Sequence, residues 1–332
     1  MSNIIEKEIN LLDAVNYALD NALQSDNDVV LLGQDIGNNG GVFRATDHLF
    51  KKYGKNRVID MPLAENLIAG AAIGMASQGL KAVAELQFMG FIYPAIDQII
   101  NHASRIRNRT RGRITCPVVF RAPYCGGIGA PEHHSESTEA MFAHIPGIRV
   151  IIPGTPASAY RQLLAAINNP DPVVFLEPKK IYRSVKQKVR LDGIPGNLDK
   201  AYIMKSGEDI TLISWGATLH ETLKASHHLD KAGISTEVID LNSIKPIDKE
   251  TIIQSVKKTG RCIIAHEANK TCGVGAEIAA TLSEECLYYL NAPIKRVAGP
   301  DIIMPYYKME SNFLVNKNMI INEAIGLLEV SR

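Results

Sequence analysis

MPLAENLIAGAAIGMASQGLKAVAELQFMGF, residues 61–91, decides the fold. From Glu65 onward the run ENLIAGAAIGMAS places small and apolar residues on every side of a helix, a pattern that predicts burial. Its glycines and alanines permit close backbone approach. Residues 81–87, KAVAELQ, then read as a strand. Glu65 is the one ionisable group of the helix and stands at its head. Two environments fit it. Buried, its carboxyl is desolvated, so its proton is held more tightly and exchanges near neutrality. Solvated, it is a first-turn acid favoured by the helix dipole. The strand that follows and Phe91 favour the first.

Working outward, apolar runs at 28–33 (DVVLLG), 57–60, 117–121, 149–152 and 172–177 predict further strands, buried on both faces. Helical spacing covers 11–23, 138–143 and 156–168. It also predicts one long helix over 91–109, with a solvated basic end at Arg105, Arg107, Arg109, Arg111 and Arg113. The alternation implies an α/β fold with a parallel, doubly wound sheet. Residues 186–203 change character, being charged with Gly193, Pro195 and Gly196, and are expected to link two domains. A second alternating run follows. The expected domains are therefore 1–185 and 204–332, both doubly wound.

Net charge is +1 over 332 residues, with 46% hydrophobic and 21% charged side chains. Neither nucleic acid nor membrane is favoured as a partner by such a balance. No run of about 18 apolar residues predicts a membrane span. Cys116, Cys125, Cys262, Cys272 and Cys286 form no CxxC pair. An odd count suits reduced thiols and a cytoplasmic location. The acidic start, MSNIIEKEINLLDAV, does not read as a secretory signal.

PEHHSES, residues 131–137, gathers Glu132, His133, His134 and Glu136 beyond the end of a strand, where doubly wound folds place their sites. Metal binding is disfavoured, because adjacent histidines on an extended segment point apart. One histidine facing a reaction centre is favoured. GVGAEI, 273–278, carries half a dinucleotide fingerprint without the third glycine and reads as a tightly packed helix start. His266 and Glu267 could form a polar pair or satisfy an interface. The chain holds no nucleophile elbow, no P-loop and no Gly-Asp dipeptide.

GQDIGNNGGVFRAT (33–46), MPLAE (61–65), ELQFMGFIYPAIDQI (85–99), PEHHSESTEAMFAHIPGIRVIIPGTP (131–156), NNPDPVVFLEPKKIYR (168–183) and VIDLNSIKPID (238–248) together resemble the beta subunits of thiamine-dependent 2-oxoacid dehydrogenases, the pyruvate dehydrogenase type most. The resemblance covers the whole chain. It implies a thiamine-binding pyrimidine domain followed by a transketolase C-terminal domain. It implies oxidative decarboxylation of pyruvate and reductive acetylation of lipoamide with thiamine diphosphate, in a tetramer of two alpha and two beta chains. The alpha chain would hold magnesium and diphosphate, in keeping with the missing Gly-Asp. Glu65 would hydrogen-bond the aminopyrimidine ring, Phe91 would stack on it, and Leu63 and Gln87 would line the same cofactor. His134 would face the thiazolium end, where acyl transfer occurs. A potassium ion on backbone carbonyls would map to Val118, Ala166, Ile167, Asn169 and Asp171. The second domain would dock the dihydrolipoyl acyltransferase core.

Two departures stand out. The family commonly has an acid where this chain has Gln34, and another where it has Pro94, although Asp97 remains. These positions belong to a proposed acidic tunnel between paired sites. A branched-chain 2-oxoacid or acetoin enzyme is the rival within the family. Outside it stand a non-catalytic assembly module and, more distantly, a nicotinamide oxidoreductase. Glu65, Phe91 and His134 together favour catalysis.

Overall fold

A computed structural model describes residues 5–330. The first half runs β1 (Ile5–Asn10), α1 (Leu11–Ser25), β2 (Val29–Gly33), α2 (Leu49–Tyr53), β3 (Val58–Asp60), α3 (Glu65–Ser77), β4 (Lys81–Glu85), α4 (Ile106–Arg109), β5 (Val118–Tyr124), α5 (Glu139–Ala143), β6 (Arg149–Ile151), α6 (Pro156–Ile167) and β7 (Val173–Pro178). Then follow β8 (Lys186–Leu191), β9 (Tyr202–Lys205), β10 (Ile210–Ser214), α7 (Thr218–Lys231), β11 (Thr236–Asp240), β12 (Ser243–Lys245), α8 (Lys249–Thr259), β13 (Cys262–Asn269), α9 (Val274–Cys286), β14 (Lys295–Gly299), α10 (Glu310–Phe313) and α11 (Lys317–Val330).

The larger sheet has seven strands in the order β12-β6-β7-β5-β4-β2-β3. Its strands are parallel except β12, which adds antiparallel to β6. The smaller has the order β14-β13-β10-β11-β9, with only β9 antiparallel. Strands β2, β5 and β7 are buried along their whole length, as parallel strands covered on both faces must be. The helix starts are specified locally. Asn10 and Asp13 form a capping box on α1, and Thr155 and Ser158 form one on α6, with Pro156 in its first turn.

Two expectations need correction. The segment at 91–109 is not one helix. It breaks into a tight 3₁₀ turn, Met89–Ala95, a wider π-type segment, Gln98–Ala103, and the short α4. Pro94 lies inside the first turn, where it removes an amide donor from the helical ladder. Helix α3 is not buried all round. Ile68, Ala69, Ala72, Ile73 and Ala76 face the core, while Leu67 and Gly74 are exposed. The charged segment 186–203 opens with β8, which pairs antiparallel with β1 from Ile5↔Leu191 to Asn10↔Lys186.

The two halves share more than a link. β12 belongs by sequence to the second half and extends the sheet of the first. Lys245 Nζ donates to the carbonyls of Ala143 and Ile145 at 2.6 and 2.8 Å, closing the end of α5. At the start of α5, Trp215, the only tryptophan, donates its indole N–H to Glu139 Oε1 at 3.3 Å. On its other side Trp215 stacks on His266, with centroids 5.1 Å apart and planes 10° from parallel. Burial pushes Glu139 up from an ordinary 4.5 to about 7, against the hydrogen bond from Trp215; the charge of Glu267 adds to the rise. A carboxyl raised on folding stabilises the native state below its unfolded value and loses that contribution as pH rises through the folded value. The seam should therefore weaken between about pH 4.5 and about pH 7. Trp215 emission of the folded chain should titrate with a midpoint of about pH 7, and Glu139→Gln should flatten both the emission and the stability profile. An unchanged profile in the variant would assign the titration elsewhere.

Candidate active site

In the larger sheet the chain passes from β2 outward to β3 and then back across to β4. The crevice beyond the carboxyl ends of β2 and β4 is thus the topological switch point, where doubly wound sheets bind ligands. Gln34 and Asp35 leave β2 there, and Gln87 leaves β4. Gln87 Nε2 donates to Asp35 Oδ2 at 3.2 Å and to the Gln34 carbonyl at 3.5 Å. Asp35 has φ +59°, a left-handed conformation that a non-glycine residue holds only under surrounding constraint. The loop is constrained by the Gly37 amide donating to Asp60 Oδ1 at 2.6 Å and by Thr46 Oγ1 donating to the Ile36 carbonyl at 2.7 Å.

The turn after β4 carries Phe88 and Phe91, and the loop at 131–134 lies against it. His134 meets Phe88 with ring centroids 4.4 Å apart and Phe91 at 5.1 Å, both edge-on. His133 turns instead toward Phe91 and Tyr93, at 5.6 and 5.9 Å. Gly90 permits this approach, since a Cβ there would sit 1.9 Å from the His133 carbonyl oxygen. His134 Nδ1 is buried with no hydrogen-bond partner among the described residues.

Glu65 is the first residue of α3 and is half-buried. The helix packs on the Phe91 turn, and Asn66 Nδ2 donates to the Pro94 carbonyl at 3.2 Å. Next to Glu65, Leu63 is 73% exposed and Leu67 49%, so an apolar face borders the carboxyl. Asp97 is engaged by the side-chain amides of Asn101 and Gln98 at 2.7 and 3.2 Å.

Beneath the crevice lies a buried network that sequence reasoning missed. Arg121 on β5 holds Glu177 on β7 through two hydrogen bonds of 2.7 and 2.8 Å and also pairs with Glu85 on β4. Tyr182 Oη donates to Glu177 Oε2 at 2.6 Å. Burial opposes the charge on Arg121, and the two glutamates outweigh it, holding the guanidinium above its ordinary value. Burial is also the largest influence on Glu85, whose carboxyl is held above its ordinary value with Arg121 pulling the other way. The signal was present. Each of KAVAE, VVFRAPY and VVFLEP carries a charge near the end of an otherwise apolar strand.

The remaining expected residues are placed as follows. Among the described residues no three His, Cys, Asp or Glu side chains converge. At the proposed potassium positions Asp171 pairs with Arg107 at 2.5 Å, its amide donates to Asn169 Oδ1 at 2.9 Å, and the Ala166 carbonyl accepts from Asn169 N–H at 3.1 Å. Val118 begins β5, and Ile167 ends α6. His266 and Glu267 sit on opposite faces of β13, one against Trp215 and the other accepting from Gly126 N–H at 2.6 Å. GVGAEI packs its glycines on His266, where a Cβ at Gly275 would lie 2.6 Å from Nε2. Among the described residues no helix is long and apolar enough to cross a membrane.

Residues 7–185 match the family model "Transketolase, pyrimidine binding domain", and 199–320 match "Transketolase, C-terminal domain". The chain is 49% identical to the pyruvate dehydrogenase E1 component subunit beta of Acholeplasma laidlawii, over 91% of this chain and 92% of that one. It is 43% identical to the protein of the same description from Bacillus subtilis, over 97% and 99%. It is 45% identical to the 2-oxoisovalerate dehydrogenase subunit beta of Bacillus subtilis, over 93% and 95%. A solved structure described as a split gene transketolase, inactive beta4 tetramer, shares the fold, with a TM-score of 0.79 at 23% identity over 98% of this chain and 100% of that one.

Proposed function

The chain belongs to the family of pyruvate dehydrogenase E1 component beta subunits, and from that premise we propose how it works: paired with an alpha subunit, two of each, it decarboxylates pyruvate oxidatively and passes the acetyl group to lipoamide. The observation that carries the proposal is the packing of His134 against Phe91 in the segment that follows β4, whose end also sends Gln87 to Asp35 across the switch point of the larger sheet. A buried His134 Nδ1 without a partner among the described residues fits a site that receives a polar ligand.

Thiamine diphosphate, when bound, supplies the electron sink for decarboxylation. The rest falls to this chain. Glu65 shares a proton between a carboxyl oxygen and the aminopyrimidine ring nitrogen. Phe91 offers a ring face for that pyrimidine, with Leu63 and Gln87 beside it. His134 holds or delivers a proton during acyl transfer. Magnesium and diphosphate contacts fall to the alpha subunit, since no Gly-Asp dipeptide occurs in this chain. A potassium ion at Val118, Ala166, Ile167, Asn169 and Asp171 would rely on backbone carbonyls, because the Asp171 carboxylate already faces Arg107. The two domains are taken as 1–185 and 204–332, the second docking the dihydrolipoyl acyltransferase core, and the assembly works in the cytoplasm.

A branched-chain substrate is the second reading, favoured by the 45% identity to the 2-oxoisovalerate subunit, inside the range of the pyruvate relatives. Side chains that shape a pocket by one or two methylenes discriminate by roughly 10–200-fold. We expect the reconstituted alpha–beta pair to prefer pyruvate over 3-methyl-2-oxobutanoate by about tenfold or more in kcat/KM. The opposite preference would assign the chain to the branched-chain type.

A further inference from the structure

The loop that carries His134 is held from outside its own domain. Gly126 N–H donates to Glu267 Oε1 at 2.6 Å, and Ser137 Oγ, beyond the far end of the loop, donates to the same oxygen at 3.3 Å. In between, Gly127 N–H donates to Glu310 Oε1 at 2.7 Å and Gly129 N–H to Glu310 Oε2 at 2.9 Å. Glu267 is on β13 and Glu310 begins α10, so both belong to the second half of the chain. Both are buried, at 5% and 8% exposure.

The loop backbone is shaped for this grip. Cys125, Gly127 and Gly129 have φ of +67°, +93° and +68°, which turns successive amides toward the carboxylates in the manner of an anion-binding concavity. The walls are close. A Cβ at Gly126 would lie 2.7 Å from Met304 Cε, one at Gly127 2.6 Å from Lys180 Cδ, and one at Gly129 3.0 Å from Tyr307 Cδ2. From Gly129 the chain passes directly into the 3₁₀ turn Glu132–His134, closed by His134 N–H donating to the Pro131 carbonyl at 2.9 Å. Cys125 N–H donates to the Glu136 carbonyl at 3.1 Å and ties the neck of the loop.

We propose that Glu267 and Glu310 are positioning residues, which staple the glycine loop at its ends and middle so that the second domain fixes where His134 stands over Phe88 and Phe91. The functional half of this proposal rests on the role given to His134 above. Hydrogen bonds from amides to a carboxylate are stronger and more directional than neutral ones, and a misplacement of about 1 Å at a reacting group lowers rates by about 10²-fold. Their influence on His134 passes through the loop backbone that they hold.

The test uses the complex assembled with the alpha subunit, carrying Glu310→Ala or Glu310→Gln, read by hydrogen exchange and by turnover. Exchange at the Gly127 and Gly129 amides should rise about tenfold or more, while α3 stays protected as in the wild type. With lipoamide as acceptor kcat should fall about 10–100-fold, with KM for pyruvate within about twofold, the pattern of an interaction that matters after substrate is bound. In a His134→Ala background, adding Glu310→Ala should cause little further loss of kcat. Glu310→Gln keeps one acceptor oxygen and should fall between, and it decides the matter if the alanine variant fails to assemble. Unchanged exchange at both glycines, or wild-type kcat with faster exchange, overturns the positioning role. Full activity of His134→Ala alone would remove His134 from the chemistry, and the exchange result would then still show whether the staple exists.

Discussion

Glu65→Gln lowers the rate of pyruvate decarboxylation by about 10²–10⁴-fold, the span of a positioned proton-transfer group, and leaves folding and pairing with the alpha subunit intact. Glutamine matches glutamate in size and keeps an acceptor, yet it cannot share a proton with a ring nitrogen. Glu65 stands at the first position of α3, held against the Phe91 turn by Asn66 on the Pro94 carbonyl, so the substitution moves no backbone contact. It also makes no hydrogen bond to protein that the variant would forfeit among the described residues. Single-turnover decarboxylation, measured with thiamine diphosphate saturating, is the direct readout. Activity within a few-fold of wild type would take Glu65 out of the mechanism.

Arg121→Ala destabilises the first domain by about 3–5 kcal/mol, the range seen when one member of a buried ion pair is removed. Arg121 is 1% exposed and Glu177 0%, so truncation leaves Glu177 and Glu85 as neighbouring buried carboxyls with no cation. Domains hold only about 5–15 kcal/mol in total, so the loss is a large share. The deficit should shrink as pH falls. Without the guanidinium the folded state favours protonated carboxyls, whose pKa values rise, and groups raised on folding stabilise the native state on the acid side. Denaturant melts at two pH values separate this from simple cavity formation. A loss below about 1 kcal/mol, or a deficit independent of pH, would show that the network is relieved by water or rearrangement.

The sequence made the α/β alternation legible because the central strands are continuous apolar runs. DVVLLG and the strand at 210–214 needed no tertiary information. What stayed hidden was structure with a weak local signature. β1 and β8 pair with each other through mostly exposed, charged residues, and so carry no apolar strand signature. β12 has three residues and finds its partner across the domain boundary, which no local pattern announces. The break at 89–103 was masked by Ile92, Ile96 and Ile99, whose helical spacing survives in the 3₁₀ and π turns even though Pro94 lies among them. At the site, the family resemblance named Phe91 and His134 for two ends of one cofactor, and the contact between their rings had no sequence signal. Phe88, which lies nearer to His134, was not named. The Glu267 and Glu310 grip on the glycine loop depends on contacts between residues more than a hundred apart, 141 in the case of Gly126 and Glu267.

The central claim is that this chain supplies half of a thiamine-dependent site and that an alpha subunit supplies the other half. It is tested most directly by measuring pyruvate-dependent acetylation of lipoamide with thiamine diphosphate and magnesium, for the purified chain alone and for the chain mixed with the alpha subunit. Turnover confined to the mixture, and abolished there by omitting thiamine diphosphate, is the predicted result. Turnover by the chain alone at the rate of the mixture, or no turnover by a mixture that assembles, would contradict it.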